Sequence, residues 1–259
     1  MTNSRKRDNQ NTEIVICLPA RFQSSRLPGK PMIKIAGKPL IIWALESAAK
    51  IPAKMMVVAT DDIRIKNMVE SAGYKAIMTS NNHQTGTDRV AEVVEVMGLT
   101  DETIVVNYQG DEPMTPKENI LQLIAALEDN PDASIATLYQ YINNYQDLIN
   151  PNNVKLVSDN SGYALYFSRS PIPYSRECFS HAKLDKNISY KHHIGLYAYR
   201  ASFLKSYTNM AKSDIEETEC LEQLRAMSNG HKIIAKKAKR TMPHGIDTSE
   251  DIIRFEKSL

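Results

Sequence analysis

IVICLP, at residues Ile14 to Pro19, is a short and uninterrupted apolar run. A strand that is buried on both faces needs this pattern, because successive side chains point to opposite faces of the sheet. The polar loop ARFQSSRLPGKP follows at residues 20–31. We therefore predict a central strand of a parallel sheet, with the loop at its carboxyl end, where ligands bind in such sheets.

Strands and helices alternate at short spacing from this run to residue 141. Further strands are predicted at residues 55–59, 75–78, 103–107 and 134–141. Helices are predicted at residues 40–49, 61–68 and 87–97, and after Thr115 and Pro116, which suit the N-cap and first positions. This alternation predicts an α/β fold with a mostly parallel central sheet flanked by helices.

The chain beyond about Pro151 is less regular, but no linker separates it from the first part. Short strands are predicted there at residues 154–157, 164–167 and 195–200, and helices at residues 215–227 and 248–257. We expect one domain over residues 13–259 and a disordered polar tail over residues 1–12.

Composition excludes several classes of protein. The net charge of +2 gives no reason to expect nucleic acid or membrane as a partner, and no apolar run approaches the ~20 residues of a membrane span. The cysteines Cys17, Cys178 and Cys220 are far apart and odd in number, which fits neither a disulfide framework nor a zinc pattern. We expect thiols in a reducing cytoplasm.

The first loop combines three cations, Arg21, Arg26 and Lys30, with Ser25 and a glycine. Arginine pairs with phosphate oxygens bidentately and lysine acts as a point charge, so the loop can wrap a polyphosphate. It lacks both the GxGxxG and the GxxxxGK[ST] patterns. A solvated basic loop is the alternative, and the position directly after the first strand favours the functional interpretation.

Acidic residues in two motifs are candidate magnesium ligands. QGDEP, at residues 109–113, follows a predicted strand and places Asp111 and Glu112 at the ligand-binding edge, where a carboxylate can hold Mg²⁺. GIDTSED, at residues 245–251, contains Asp247, which could be a second ligand if this segment returns to the sheet edge. Helix capping is the alternative for both motifs.

HQTGTDR, at residues 83–89, follows another predicted strand. Gly86 allows a close backbone approach, and Arg89 could contact the carbonyl of a base. An ordinary loop and helix start are the alternative. His192 and His193 precede a strand without any metal-binding spacing and, taken alone, are interpreted as structural histidines.

Eight motifs taken together resemble the 3-deoxy-manno-octulosonate (Kdo) cytidylyltransferase family, also called CMP-Kdo synthetases. They are LPARFQSSRLPGKP, HQTGTDR, VNYQGDEP, NPNNVKLV, GYALYFSRSPIPY, HHIGLYAYR, ECLEQLR and GIDTSED. The resemblance covers Ile14 to about Glu256. The first motif is shared with many sugar nucleotidyltransferases, whereas YFSRSPIP, HIGLYAYR and LEQLR are more specific for the Kdo branch.

The resemblance implies a Rossmann-like nucleotidyltransferase fold with a smaller subregion for sugar binding and dimerisation. It also implies a homodimer, and transfer of CMP from CTP to Kdo for lipopolysaccharide synthesis. It implies CTP contacts from Arg21, Ser25, Arg26, Lys30, Thr85, Gly86, Thr87, Arg89 and Asp111. It implies Mg²⁺ on Asp111 and Asp247, with Arg21 and Lys30 also catalytic. It implies sugar contacts from Gln109, Arg169, His193, Tyr197, Glu222 and Gln223.

The sequence departs from the family pattern at Thr85, Tyr108 and His192, where the family usually has Ser, a small aliphatic residue, and Arg or Lys. His192 bears on the sugar, so transfer to 8-amino-Kdo or a sialic-type acid stays an alternative. A nucleotide-binding module without catalysis is a second alternative. A dinucleotide-dependent dehydrogenase is a third, and the missing GxGxxG argues against it.

Overall fold

The computed structural model describes residues 12–23, 27–83, 85–176, 179, 182–185 and 187–259. The predicted tail, except Thr12, lies outside these residues, as do Ser25, Arg26 and Cys178. None of the helices in the described ranges is long and apolar enough to cross a membrane.

The strands and helices alternate in the first part of the chain, as predicted. The strands are β1 (Ile14–Ala20), β2 (Lys34–Ile35), β3 (Lys38–Pro39), β4 (Met55–Thr60), β5 (Lys75–Met78), β6 (Ile104–Asn107), β7 (Ala133–Tyr141), β8 (Lys155–Ser158), β9 (Ala164–Ser168), β10 (Lys191–Arg200) and β11 (Lys232–Lys237). The α-helices are α1 (Leu40–Ala48), α2 (Ile63–Ser71), α3 (Gly86–Val96), α4 (Lys117–Asp129), α5 (Tyr145–Ile149), α6 (Ala201–Tyr207), α7 (Asp214–Glu219), α8 (Gln223–Ser228) and α9 (Ser249–Glu256).

The central sheet has the strand order β11-β7-β10-β6-β1-β4-β5, with β8 and β9 attached to β10 as an antiparallel extension. β1 pairs in parallel with β4 on one side and with β6 on the other. The chain therefore builds outward from β1 to β5 and then returns to its other side. This reversal of strand order leaves a crevice at the carboxyl ends of β1 and β6, which is where ligands bind in such sheets.

Both faces of β1 are buried, which confirms the prediction for IVICLP. Ile16 and Leu18 pack on one face, in a cluster with apolar residues of α1 and α4. Val15 and Cys17 pack on the other face, in a cluster with residues of α3 and α6. Burial raises the pKa of the Cys17 thiol to about 12, so this cysteine is an inert core residue.

The later part of the chain differs from its prediction in one element that matters for the site. The single helix predicted at residues 215–227 is two helices, α7 and α8, because Cys220 adopts a left-handed conformation with φ of 51°. An α-helix cannot continue through such a residue. The chain therefore turns at Cys220, and Leu221 and Glu222 lie outside both helices.

Candidate active site

A polar cleft of about 440 Å³ opens at the carboxyl ends of β1 and β6. We call it the first cleft. Six of the predicted site residues line it: Arg21, Lys30, Gly86, Gln109, Asp111 and Asp247. They come from four distant segments of the chain, and the sheet edge brings them together.

Lys30 lies between the two aspartates that the sequence singled out. Its ammonium donates to Asp111 Oδ2 at 2.5 Å and to Asp247 Oδ1 at 2.7 Å. Only 10% of the Lys30 side chain is exposed, against 37% and 41% for the two aspartates. A largely buried ammonium needs such partners, and the contact confirms that the C-terminal segment returns to the sheet edge.

Gly29 determines how the first loop presents Lys30. Its φ of 66° lies in the left-handed region, and its N–H donates to the Phe22 carbonyl at 2.9 Å. A Cβ atom there would lie 3.1 Å from Phe22 Cε2. Glycine therefore suits this position both for its backbone conformation and for the space available.

The residues of the first cleft fit a magnesium ion. The carboxylates of Asp111 and Asp247 converge on one cation, the Lys30 ammonium, so both can reach a single point. No cluster of three or more acidic, histidine or cysteine ligands occurs within the described ranges. Two carboxylates are enough, because Mg²⁺ keeps water ligands and takes further oxygens from substrate phosphates.

The amino terminus of α3 borders the first cleft through Gly86, the first residue of the helix. Thr85 is its N-cap and forms a capping box with Asp88, with both hydrogen bonds at 3.1 Å. The positive end of the helix dipole therefore faces the cleft, where it favours the binding of a phosphate group. Thr87 points away from this cleft, since its hydroxyl donates to Glu222 Oε1 at 3.0 Å.

Arg89 is fully buried and does not line the first cleft. Its guanidinium donates to Asp61 Oδ2 at 2.8 Å and to the hydroxyl of Thr79. In this position it holds together the ends of β4 and β5. Direct contact between Arg89 and a base stays a prediction.

A second cleft of about 520 Å³ adjoins the first, and Gln109 lines both. Five of the six residues that the resemblance assigned to the sugar line this second cleft: Gln109, His193, Tyr197, Glu222 and Gln223. Arg21, Lys30, Asp111 and Asp247 line the first cleft, whereas most of the residues assigned to the sugar line the second.

His193 is neutral at physiological pH. Burial lowers the pKa of its imidazole to about 3, and the neighbouring His192 adds to this shift. Its Nε2 lies 2.9 Å from the Thr137 hydroxyl, which itself donates to a backbone carbonyl. A hydroxyl has one proton to give, so the imidazole donates through Nε2 and keeps Nδ1 as an acceptor.

Glu222 and Gln223 bring buried polar atoms to the second cleft. Glu222 Oε2 and Gln223 Nε2 are buried and have no hydrogen-bond partner in the described part of the chain. Burial raises the pKa of Glu222, and the hydroxyls of Thr85 and Thr87 oppose this shift. Buried polar atoms without partners are costly, so these two atoms mark the part of the wall where a small rearrangement would expose hydrogen-bonding groups to a ligand.

Glu112 lines the second cleft next to Asp111. Burial and the charge of Asp111 raise the pKa of its carboxyl to about 7. Its only signal in the sequence is its place within QGDEP.

The structure gives Arg169 a different surrounding from the one predicted. Its Nε donates to the Glu219 carbonyl at 2.7 Å, and its terminal nitrogens donate to the carbonyls of Pro151 and Cys220. It does not line the second cleft. This geometry makes Arg169 a bridge between backbone segments, and contact with a sugar carboxylate stays a prediction.

Sequence reasoning missed several polar residues of the second cleft, among them Gln140 and Asn152. A single amide side chain has no distinctive spacing, whether near the end of a strand, as Gln140 is, or in a loop, as Asn152 is, although Asn152 does belong to the motif NPNNVKLV. Ser25 and Arg26, predicted to bind the triphosphate, lie outside the described residues.

Comparisons with known proteins agree on the family. The profile of the family described as cytidylyltransferase matches residues 14–233. A 3-deoxy-manno-octulosonate cytidylyltransferase from Vibrio vulnificus strain YJ016 is 47% identical, over 94% of this chain and 97% of its own length. One from Francisella philomiragia is 46% identical over the same shares of the two chains.

Solved structures agree as well. CMP:2-keto-3-deoxy-manno-octonic acid synthetase complexed with CTP superimposes with a TM-score of 0.85 at 39% identity, over 95% of this chain and 98% of that chain. A cytidylyltransferase from Leptospira borgpetersenii gives a TM-score of 0.60 at 15% identity, over 95% and 85% of the two chains. The second likeness shows the fold alone.

Proposed function

Because the chain belongs to the 3-deoxy-manno-octulosonate cytidylyltransferase family, we propose that it transfers CMP from CTP to Kdo, releasing pyrophosphate. The observation that supports this most directly is the pair of adjoining clefts. The first has a lysine, an arginine and two aspartates at a helix N-terminus. The second has uncharged and acidic hydrogen-bonding groups. CTP belongs in the first cleft and the sugar acid in the second, with Gln109 between them.

In the proposed reaction the anomeric hydroxyl of Kdo attacks the α-phosphorus of CTP in line. The new O–P bond forms as the bond to pyrophosphate breaks, and the hydroxyl loses its proton. Lys30 and Arg21 hold the phosphates, which fixes the α-phosphorus opposite the second cleft. Catalysis is mainly positioning and charge neutralisation, as in phosphoryl transfer generally.

We propose Mg²⁺ as the cofactor, held by Asp111 and Asp247. When bound, it would neutralise phosphate charge and lower the pKa of the attacking hydroxyl. Lys30, which contacts both carboxylates, would then move its ammonium to the triphosphate. This exchange is consistent with the structure, because charged partners, the two aspartates, set the position of the Lys30 ammonium.

We also propose a homodimer, and a cytoplasmic location as part of lipopolysaccharide synthesis. Large exposed apolar side chains on and after β9, Leu165 and Tyr174, support a contact with a second copy. Cys17 and Cys220 are free thiols, which is consistent with a reducing compartment.

The test is a coupled pyrophosphate assay with CTP, UTP, ATP and GTP against Kdo, 8-amino-Kdo and a sialic acid. We expect the highest kcat/KM with CTP and Kdo, loss of activity on chelation and recovery with Mg²⁺. Equal rates with CTP and ATP would refute the nucleotide assignment. A faster reaction with another acid would reassign the sugar, and CTP binding without pyrophosphate release from any acid would favour a binding module.

A further inference from the structure

We propose that Glu219 is a positioning residue for the second cleft: it ties the turn that carries Glu222 and Gln223 to strand β9. The proposal rests on the proposed function, since it assigns a role to Glu219 in binding the sugar. It concerns a residue that does not line the cleft and that acts through its neighbours.

Three hydrogen bonds join Glu219 to the end of β9. Its Oε1 accepts from the Ser168 hydroxyl at 2.6 Å, and its Oε2 accepts from the Arg169 N–H at 2.8 Å. Its backbone carbonyl accepts from Arg169 Nε at 2.7 Å. Three hydrogen bonds therefore join Glu219 to Ser168 and Arg169, and two of them go to its carboxylate group.

The turn that follows Glu219 needs such support. Cys220 is left-handed although it is not a glycine, and a residue in that conformation persists only where its surroundings hold it. The Cys220 carbonyl also accepts from Arg169, at 3.3 Å. Four consecutive residues from Cys220 to Gln223 line the second cleft, so a shift of the turn moves the whole wall.

A second contact holds the far side of the same turn. Thr87 of α3 donates to Glu222 Oε1 at 3.0 Å, which links the turn to the helix that borders the first cleft. Glu219 and Thr87 thus hold the turn between β9 and α3. With both contacts in place, Glu222 Oε2 and Gln223 Nε2, which have no hydrogen-bond partner among the described residues, keep fixed positions. Removing the Glu219 carboxylate would loosen this side of the turn, where only the Arg169 side chain would still donate to the carbonyls of Glu219 and Cys220.

The helices on either side of the turn have their own connection. Arg225 of α8 makes a buried ion pair with Glu216 of α7, with N–O distances of 2.6 to 3.1 Å. This pair does not involve Glu219. Loss of the Glu219 side chain should therefore leave α7 and α8 packed together and displace mainly the residues between them.

The experiment compares Glu219→Ala and Glu219→Gln with the matched control Glu217→Gln, an exposed acid on the same helix. Steady-state kinetics are measured for both substrates well below the melting temperature, with the active-enzyme concentration fixed by active-site titration. Glu219→Ala should lose ~10- to 100-fold in kcat/KM for the sugar, the effect of a small misplacement of binding groups. The KM for CTP should change by less than about two-fold, as for a distant and independent site.

Glu219→Gln should fall between wild type and Glu219→Ala. Its amide oxygen can accept from the Arg169 N–H while its NH₂ group donates to the Ser168 hydroxyl oxygen, but both hydrogen bonds lose the charge of the carboxylate. A merely structural role would lower the melting temperature and leave the kinetics of the folded enzyme unchanged, which would overturn the proposal. Equal losses for CTP and sugar would also overturn it.

If Glu219→Ala does not fold, Ser168→Ala removes a single hydrogen bond of the set and should give a smaller loss in the same sugar parameter. Unchanged sugar kinetics in Ser168→Ala would then overturn the proposal. Failure of the proposed function looks different, because the wild-type protein itself would release no pyrophosphate with any sugar acid.

Discussion

At the scale of single residues, the Lys30 ammonium has two alternative sets of candidate partners: the carboxylates of Asp111 and Asp247, and the phosphates of CTP. Without ligand it neutralises Asp111 and Asp247, the carboxylates that we assign to magnesium. With CTP bound it is expected at the phosphates. The ammonium and a divalent cation therefore compete for the same two carboxylates, and this competition can be measured without any turnover.

We predict that Lys30→Met increases the affinity of the nucleotide-free protein for Mn²⁺, because the competing ammonium is gone and two carboxylates are left without it. The same variant should raise the KM for CTP by roughly ten-fold or more, the effect of losing one charge-assisted contact. Titration of Mn²⁺ followed by electron paramagnetic resonance gives the first quantity. Lys38→Met is the control, since Lys38 pairs with Glu46 instead. Unchanged Mn²⁺ affinity in Lys30→Met would place the metal elsewhere.

The sequence identified residue types more reliably than their partners. Gln109 and Asp111 lie just after β6, and Lys30 lies in the loop that follows β1, so their place at the sheet edge could be predicted from the strands. Arg169 could not, because the carbonyls it contacts belong to residues about 18 and 50 positions away, and a backbone carbonyl leaves no mark in a sequence. The partnership between Glu219 and Ser168 was missed because the two side chains are 51 positions apart and no motif links them.

At the scale of elements, strands with a clear apolar run, such as β1 and β4, were predictable, whereas a strand flanked by lysines was not, although its central residues are buried. β11, KIIAKK, has only three apolar residues between lysines and was missed. β10 begins at Lys191, four residues before its prediction, and its register against β7 shifts between Ile194 and Tyr197. Such a bulge interrupts the alternation of inward and outward residues on which a strand prediction depends.

The prediction at the scale of elements concerns the capping box of α3, formed by Thr85 and Asp88. We expect Thr85→Ala to lower the free energy of unfolding by about 1 kcal/mol, the usual contribution of an N-cap side chain, and Thr85→Ser to restore it. Because Gly86 follows directly and lines the first cleft, Thr85→Ala should also raise the KM for CTP. Denaturant unfolding and CTP kinetics measure the two effects.

The matched control for that prediction is Asn144→Ala. Asn144 is the N-cap of α5 and accepts from the Asp147 N–H at 2.7 Å, at a helix that does not line the first cleft. It should reduce stability without changing the KM for CTP. If both variants changed the KM for CTP equally, the effect of Thr85→Ala on that KM would not come from the position of α3.

At the scale of the whole molecule, β1 lies in the interior of the central sheet, whereas β9 forms an edge with exposed apolar side chains. β9 pairs with β8 on one side. On its other side, no strand of the described chain pairs with Ala164–Ser168, and an isolated bridge occurs at the neighbouring Tyr163. Leu165 on this strand is 61% exposed, and Tyr174 beyond it is 67% exposed. An edge with exposed apolar side chains is a surface on which another chain can pair or pack.

We therefore predict that the protein is a dimer in solution and that Leu165→Asp weakens it. The new carboxylate would have to be buried without a partner in an apolar contact, which costs several kcal/mol and raises the dissociation constant by ~100-fold or more. Sedimentation equilibrium over a range of concentrations measures this constant. Ile63→Asp is the control, because Ile63 is also an exposed apolar residue, at 56%, but lies at the start of α2, next to the opposite edge of the sheet. Wild-type protein that sediments as a monomer at every concentration would refute the dimer. A dimer weakened equally by both variants would place its contact away from β9.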